Sequence, residues 1–168
     1  WKITDVTDLE NLFNYLSDKD LVPINTFNDD IGNWDTKNAT SMAAMFSGQI
    51  NFNQDIGRWN VGKVTDMCGL FNQAVKFDQD ISSWDVSKVT NMCDMFRGTP
   101  GNPFAIPVTF ANPHVFNQNI GRWNVSKVEN MSGMFYLAEK FNQNIGSWNV
   151  SSVENMSEMF AYANQFNQ

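Results

Sequence analysis

Apolar and polar positions recur along this chain with a single period. Phe27, Phe52, Phe77, Phe116, Phe141 and Phe166 each open a similar phrase, F-N-Q-D-I-x-x-W-N-V-S-x-V-x-N-M-x-x-M-F. Successive openings lie 25 residues apart, except from Phe77 to Phe116, where one period is extended by an insertion at 102–115. Five units run through to a closing Phe, at Phe46, Phe71, Phe96, Phe135 and Phe160. Upstream, Trp1, Ile3, Val6, Leu9, Leu12 and Phe13 keep the spacing of Trp59, Val61, Val64, Met67, Leu70 and Phe71. Residues 1–26 therefore read as a degenerate half-unit with a long link from Asn14 to Thr26. A fixed period of this size marks a repeat array. The array divides into repeats at 27–51, 52–76, 77–101, 116–140 and 141–165, with 166–168 opening a truncated unit. Natural arrays carry atypical polar caps at their ends, so a longer parent array is expected.

Within the unit from Phe77, Trp84 and Val86 alternate with Asp85, the period-2 signature of a short strand with one buried face. Val89, Met92, Met95 and Phe96 then fall at i, i+3, i+6 and i+7, one face of a helix. Ser87 stands where an N-cap belongs, and Ser126 with Glu129 and Ser151 with Glu154 have capping-box spacing. The pattern predicts an α/β solenoid, a right-handed leucine-rich-repeat-like stack with one short parallel strand and one short helix per 25-residue coil. Cys68 and Cys93 occupy equivalent positions in adjacent units. Helices pack ~8–10 Å apart, beyond disulfide reach, so two free buried thiols are expected.

Four polar positions recur as faithfully as the apolar ones. Asn28, Asn53, Asp78, Asn117 and Asn142 form one ladder, and Gln54, Gln79, Gln118 and Gln143 a second. Both are expected to satisfy backbone groups and one another at the bends. Asp30, Asp55, Asp80, Asn119 and Asn144 form a third, and Asp35, Asn60, Asp85, Asn124 and Asn149 a fourth. Aligned carboxylates repel unless a cation or solvent intervenes. A structural calcium is the one metal they would suit, but later units replace Asp by Asn, and no cofactor is expected.

Composition narrows the function classes. A net charge of −7 argues against nucleic-acid phosphates. No apolar run approaches membrane-spanning length. His114 is the single histidine, without the Cys or Glu pattern of a metal site or a signalled nucleophile, and is expected to be a solvated loop residue. No phosphate-binding glycine motif is present, and the chain is expected not to be an enzyme. Sequons at Asn38, Asn124, Asn130, Asn149 and Asn155 arise largely from the repeat phrase itself. The insertion alternates Phe104, Ile106, Val108 and Phe110 among Pro100, Pro103, Pro107 and Pro113, which suits an extended segment or edge hairpin.

The phrase from Phe77 to Phe96 resembles the BspA-like leucine-rich-repeat surface proteins, a family that includes Mycoplasma lipoproteins. That resemblance implies an extracellular or cell-surface protein engaged in adhesion, without catalytic residues. The leading expectation is a non-enzymatic repeat protein that recognises a protein or glycan at a cell surface or matrix. Its candidate ligand-binding residues are Asp35, Asn60, Asp85, Asn124 and Asn149, with Arg58, Arg122 and Ser83 beside them. The alternative is a structural subunit of a filament or surface coat, self-associating end to end through its strand edges.

Overall fold

The computed structural model describes residues 3–14, 27–101 and 111–168. The 25-residue units stack as tiers in strict register. Five parallel bridges tie them together: Asp8 to Ser41, Ser41 to Asp66, Asp66 to Asn91, Asn91 to Asn130 and Asn130 to Asn155. The half-unit before Asn14 therefore lies on the array as a tier of its own.

These bridges sit inside the segment where the pattern predicts a helix. Among the described residues there is no helix, and no strand longer than a single bridged residue. The expected α/β solenoid, leucine-rich-repeat-like with a strand and a helix per coil, is therefore overturned. Each tier is a chain of tight turns instead. In the second tier, the amide of Met45 donates to Met42 O (3.2 Å), Ser47 to Ala44 O (3.0 Å) and Gln49 to Phe46 O (3.0 Å). The intervening amides point to the next tier: Met42 to Asp66 O (3.0 Å), Ala44 to Cys68 O (2.8 Å), Phe46 to Leu70 O (3.0 Å) and Gly48 to Asn72 O (2.8 Å). A helix would consume all these donors internally. The tier divides them between its own turns and its neighbour.

The turns require left-handed residues, and these recur at two positions: Asn11, Ala44, Gly69, Asp94, Gly133 and Glu158, with φ between 51° and 62°, and Gly48, Gln73, Leu137 and Tyr162, with φ between 54° and 75°. Positive φ at the third residue is what a type II turn needs, and it is incompatible with continuing a right-handed helix. Ser87, Ser126 and Ser151 consequently cap no helix. Their amides donate to Asp85, Asn124 and Asn149 Oδ1 at 3.1, 3.2 and 3.1 Å. The stretch expected as a strand is likewise two turns, closed by Trp84 N to Ile81 O (3.1 Å) and Val89 N to Val86 O (2.9 Å).

The core is one continuous apolar interior. Met42, Phe46, Ile56, Val64, Met67, Phe71, Ile81, Val89, Met92, Phe96, Ile120, Val128, Met131 and Phe135 are fully buried, while in the last unit Ile145, Val153 and Phe160 are half-buried and Met156 is exposed. Two columns of stacked phenylalanines run through it. Closing residues Phe46, Phe71, Phe96, Phe135 and Phe160 lie 5.6–5.7 Å apart, centroid to centroid. Each also faces the opening Phe of the following phrase, as Phe71 faces Phe77 at 3.8 Å. Beside them Trp59, Trp84 and Trp123 are 4% exposed. Their indole N–H groups donate to the carbonyls of Ile31, Ile56 and Ile81 in the tier before, at 3.1–3.2 Å. The buried indole is thus satisfied by the repeat itself.

The insertion does not interrupt the stack. Thr99 and Asn112 pair antiparallel at its neck, while Phe96 still meets Phe135 at 5.7 Å. Phe104, Ile106, Val108 and Phe110 lie outside the described residues, as does most of the Asn14–Thr26 link. At its return the insertion plants His114 in the core. The residue expected in solvent is fully buried, because its ring takes up the backbone bonds left where the chain re-enters. Phe116 N–H donates to His114 Nδ1 (3.2 Å), and Nε2 lies 3.2 Å from Phe71 O. The first bond makes Nδ1 the acceptor, so Nε2 carries the proton. Burial pushes the His114 pKa down to about 3.

Cys68 and Cys93 form a disulfide, contrary to the expectation of free thiols. The expectation used the spacing of helices. Hydrogen-bonded backbones replace them and bring the two Cα atoms to 4.6 Å, within disulfide reach. The bridge closes a 25-residue separation, which by loop-closure entropy is worth roughly 3–4 kcal/mol. The unreduced protein is expected to resist alkylation under denaturing conditions and to take up two alkyl groups only after reduction. Alkylation of both sulfurs without reductant, read by mass spectrometry, would contradict the bridge.

Candidate binding surface

Outside the core, side chains of one chemical class repeat from tier to tier, and their hydrogen bonds fall into two kinds. The first kind joins tiers. Asn28, Asn53, Asp78, Asn117 and Asn142 each accept through Oδ1 from the equivalent backbone amide of the next tier, at 2.8–3.0 Å. The adjoining glutamines reinforce them. Gln54, Gln79, Gln118 and Gln143 donate through Nε2 to the backbone carbonyls of Asn28, Asn53, Asp78 and Asn117. These two ladders do the stacking work assigned to them, although at exposed and half-buried positions rather than in the interior.

The second kind stays within a tier. Asp30, Asp55, Asp80, Asn119 and Asn144 accept through Oδ1 from the amide two residues on, at 2.9–3.1 Å. Asp35, Asn60, Asp85, Asn124 and Asn149 do the same. Such Asx turns fix the side chain's orientation; in Asp35 the second oxygen, Oδ2, is paired with Lys37 Nζ at 2.8 Å. Asp35 is half-buried and the other four members of its row are exposed. In three of these acids hydrogen bonds favour the ionised form. The Lys37 side chain holds the Asp35 carboxyl below the usual carboxylate range, the Ser82 hydroxyl does so for Asp80, and the Ser87 hydroxyl for Asp85.

A further Asx column escaped the sequence reading: Asp8, Ser41, Asp66, Asn91, Asn130 and Asn155. These are the bridge residues themselves, each accepting from the amide two positions on. Sequons Asn130 and Asn155 thus lie on the inter-tier ladder and in no helix. The available signal was an Asx or Ser standing two residues before a small side chain at 43, 68, 93, 132 and 157.

Of the candidate binding residues, the structure gathers Arg58 into a defined hollow. A cleft of about 310 Å³ is lined by Asp30, Gly32 and Asn33 of one tier and Gln54, Asp55 and Arg58 of the next. Asp35 and Asn60 do not line it. Glycine is required at its rim: a Cβ on Gly32 would stand 2.6 Å from Asp55 O. Among the described residues, no group of three or more Asp, Glu, His or Cys side chains converges as a metal site would require.

The repeat chemistry now bears comparison with known families. The family described as Mycoplasma protein of unknown function, DUF285, matches residues 1–103 and 104–168. The chain belongs to this family. The two matches meet within the insertion, so the family pattern spans both halves of the stack. No curated protein and no solved structure matches the chain. For this DUF285 member, the family supplies the repeat, and the surface chemistry is read from the geometry above. No helix among the described residues is long and apolar enough to cross a membrane.

Proposed function

We propose that this chain is a non-enzymatic surface repeat protein that recognises a protein or glycan outside the cell, as its resemblance to bacterial surface repeat proteins suggests. The observation that carries the reading is the row Asp35, Asn60, Asp85, Asn124 and Asn149, whose side chains are all held by the same Asx turn. A rigid row of polar groups loses little conformational entropy when a partner docks. The Cys68–Cys93 disulfide supports an oxidising location, since such bonds persist mainly outside the reducing cytosol. The net charge of −7 disfavours a nucleic-acid partner.

The test uses a panel of immobilised matrix proteins and glycans. The triple variant Asn60→Asp, Asn124→Asp, Asn149→Asp keeps every Oδ1 acceptor, so the turns persist, but adds three negative charges to the row. It is expected to weaken capture on the order of tenfold, the effect of misplacing charge at a polar contact. Unchanged capture by a variant of native stability would remove the row from the binding surface.

A further inference from the structure

The position occupied by Arg58 in the cleft alternates along the stack: Asn33, Arg58, Ser83, Arg122, Ser147. The two serines are bonded inward. Ser83 Oγ donates to Gly57 O at 3.0 Å, and Ser147 Oγ donates to Gly121 O at 2.9 Å. Those tiers therefore close on themselves at this position. The two arginines do neither this nor pair with an acid. Arg58 and Arg122 are both exposed, and the ion pairs formed among the described residues are Lys37–Asp35 and Arg97–Asp94. Arg58 shares its cleft with Asp30 and Asp55, yet bonds to neither. Each of those acids commits Oδ1 to its own turn. Gln54 likewise commits Nε2 to Asn28 O, leaving Oε1 over.

The cleft therefore offers one unpaired guanidinium amid single hydrogen-bonding atoms, without the aromatic or aliphatic anchor that a peptide contact needs. A guanidinium suits a carboxylate or sulfate through paired N–H donors. The surrounding acceptors suit hydroxyl groups. The nearby carboxylates and the overall negative charge oppose a densely charged polyanion. Arg58 and Arg122 stand two tiers apart, about 10 Å along the stack at the spacing of paired strands. That distance matches one disaccharide step of an extended polysaccharide.

We propose that Arg58, in its cleft, and Arg122, exposed two tiers on, each pair with one carboxylate of an acidic polysaccharide that bears one carboxylate per disaccharide. This rests on the surface-recognition reading and narrows its partner to a glycan. The tier between them, closed by Ser83, carries the uncharged sugar.

The test is calorimetric titration of the chain with a uronate-containing tetrasaccharide, its carboxyl-reduced counterpart, a heavily sulfated polysaccharide and an acidic peptide. Binding is expected for the uronate tetrasaccharide, with affinity lost on the order of tenfold in Arg58→Gln and in Arg122→Gln, the loss of one charge-assisted pair. The double variant is expected to fall further, to the level of the carboxyl-reduced sugar on the native chain. Equal binding of the carboxyl-reduced sugar, an unaffected double variant, or stronger binding of the sulfated polysaccharide or the peptide would each overturn the proposal. If the Asn60, Asn124, Asn149 variant abolishes capture of a matrix protein while no acidic sugar binds, the glycan proposal fails and the surface-recognition reading stands. If neither set of variants alters any capture, both fail.

Discussion

Replacing Trp84 by alanine is expected to destabilise the fold by about 3–5 kcal/mol, the cost of truncating a buried aromatic. The Trp84 ring is 4% exposed and lies 6.3 Å from the Phe71 ring, centroid to centroid. Truncation would open a cavity in a core whose tiers are locked in register by backbone bonds above and below, leaving little room to collapse. It also strips Ile56 O of its indole donor, which sits at 3.2 Å. Trp84→Phe separates the two effects. It keeps most of the packing, and the bare carbonyl is expected to cost about 1–3 kcal/mol. Trp148, only half-buried, provides the internal comparison; its alanine variant is expected to lose less. Urea denaturation of the three variants reads the order directly. A Trp84→Ala variant within about 1 kcal/mol of the native chain would mean that the indole column is not part of the core.

The period and most of the core were legible because burial depends on which residues are apolar, not on the backbone path that brings them inward. Met92, Met95 and Phe96 are buried as the pattern requires. The helix was illegible from the same evidence, because successive β-turns also return apolar side chains to one face at three- and four-residue steps. What distinguishes the two is the left-handed residue. Gly69 and Gly133 stand there with φ of 62° and 60°, and a mid-helix glycine costs about 1 kcal/mol relative to alanine. A helix as short as the one expected from Val89 to Phe96 would in any case be marginal. Ala44 and Glu158 occupy the same conformation without glycine's freedom, which conceals the signal in single units. Once the helix is gone, the disulfide follows, since Cys68 and Cys93 face each other across hydrogen-bonded backbones rather than across packed helices. His114 was misread for a different reason. Its burial depends on how the insertion re-enters the stack, through Val115 N to Val75 O (3.1 Å) and His114 N to Leu137 O (2.9 Å), and no local pattern encodes that. On the surface, the repeating Asn and Asp positions were visible, but not which atom of each was already engaged. The distinction between Arg58 and Ser83 likewise appears only when the serine is seen bonded to Gly57 O.

Acidification from pH 7 to pH 5 is expected to destabilise the protein through His114 alone by about 2 kcal/mol, at about 1.4 kcal/mol per pH unit below the ordinary histidine pKa. In the unfolded chain the imidazole takes up a proton near pH 6.5; in the folded protein it stays neutral until about pH 3. Between these values the unfolded state binds more protons, so stability is fully present above pH 6.5 and is lost as pH falls toward 3. The structural cause is a ring with no place for a second proton. Nδ1 already accepts from Phe116 N–H, Nε2–H is directed at Phe71 O, and the Phe96 ring packs edge-on at 5.8 Å. Protonation at Nδ1 would set two donors against each other in a fully buried site. The depressed carboxyls of Asp35, Asp80 and Asp85 lose their stabilising bonds only as pH falls below the ordinary carboxylate range, so the window from pH 7 to pH 5 isolates the histidine. His114→Gln keeps polar atoms at the site but cannot titrate. Its stability is expected to start lower at pH 7 and to remain flat to pH 5, where the native curve falls. Parallel curves for the two proteins would show that His114 is reached by water and protons in the folded state, and that the insertion does not seal the core where it re-enters.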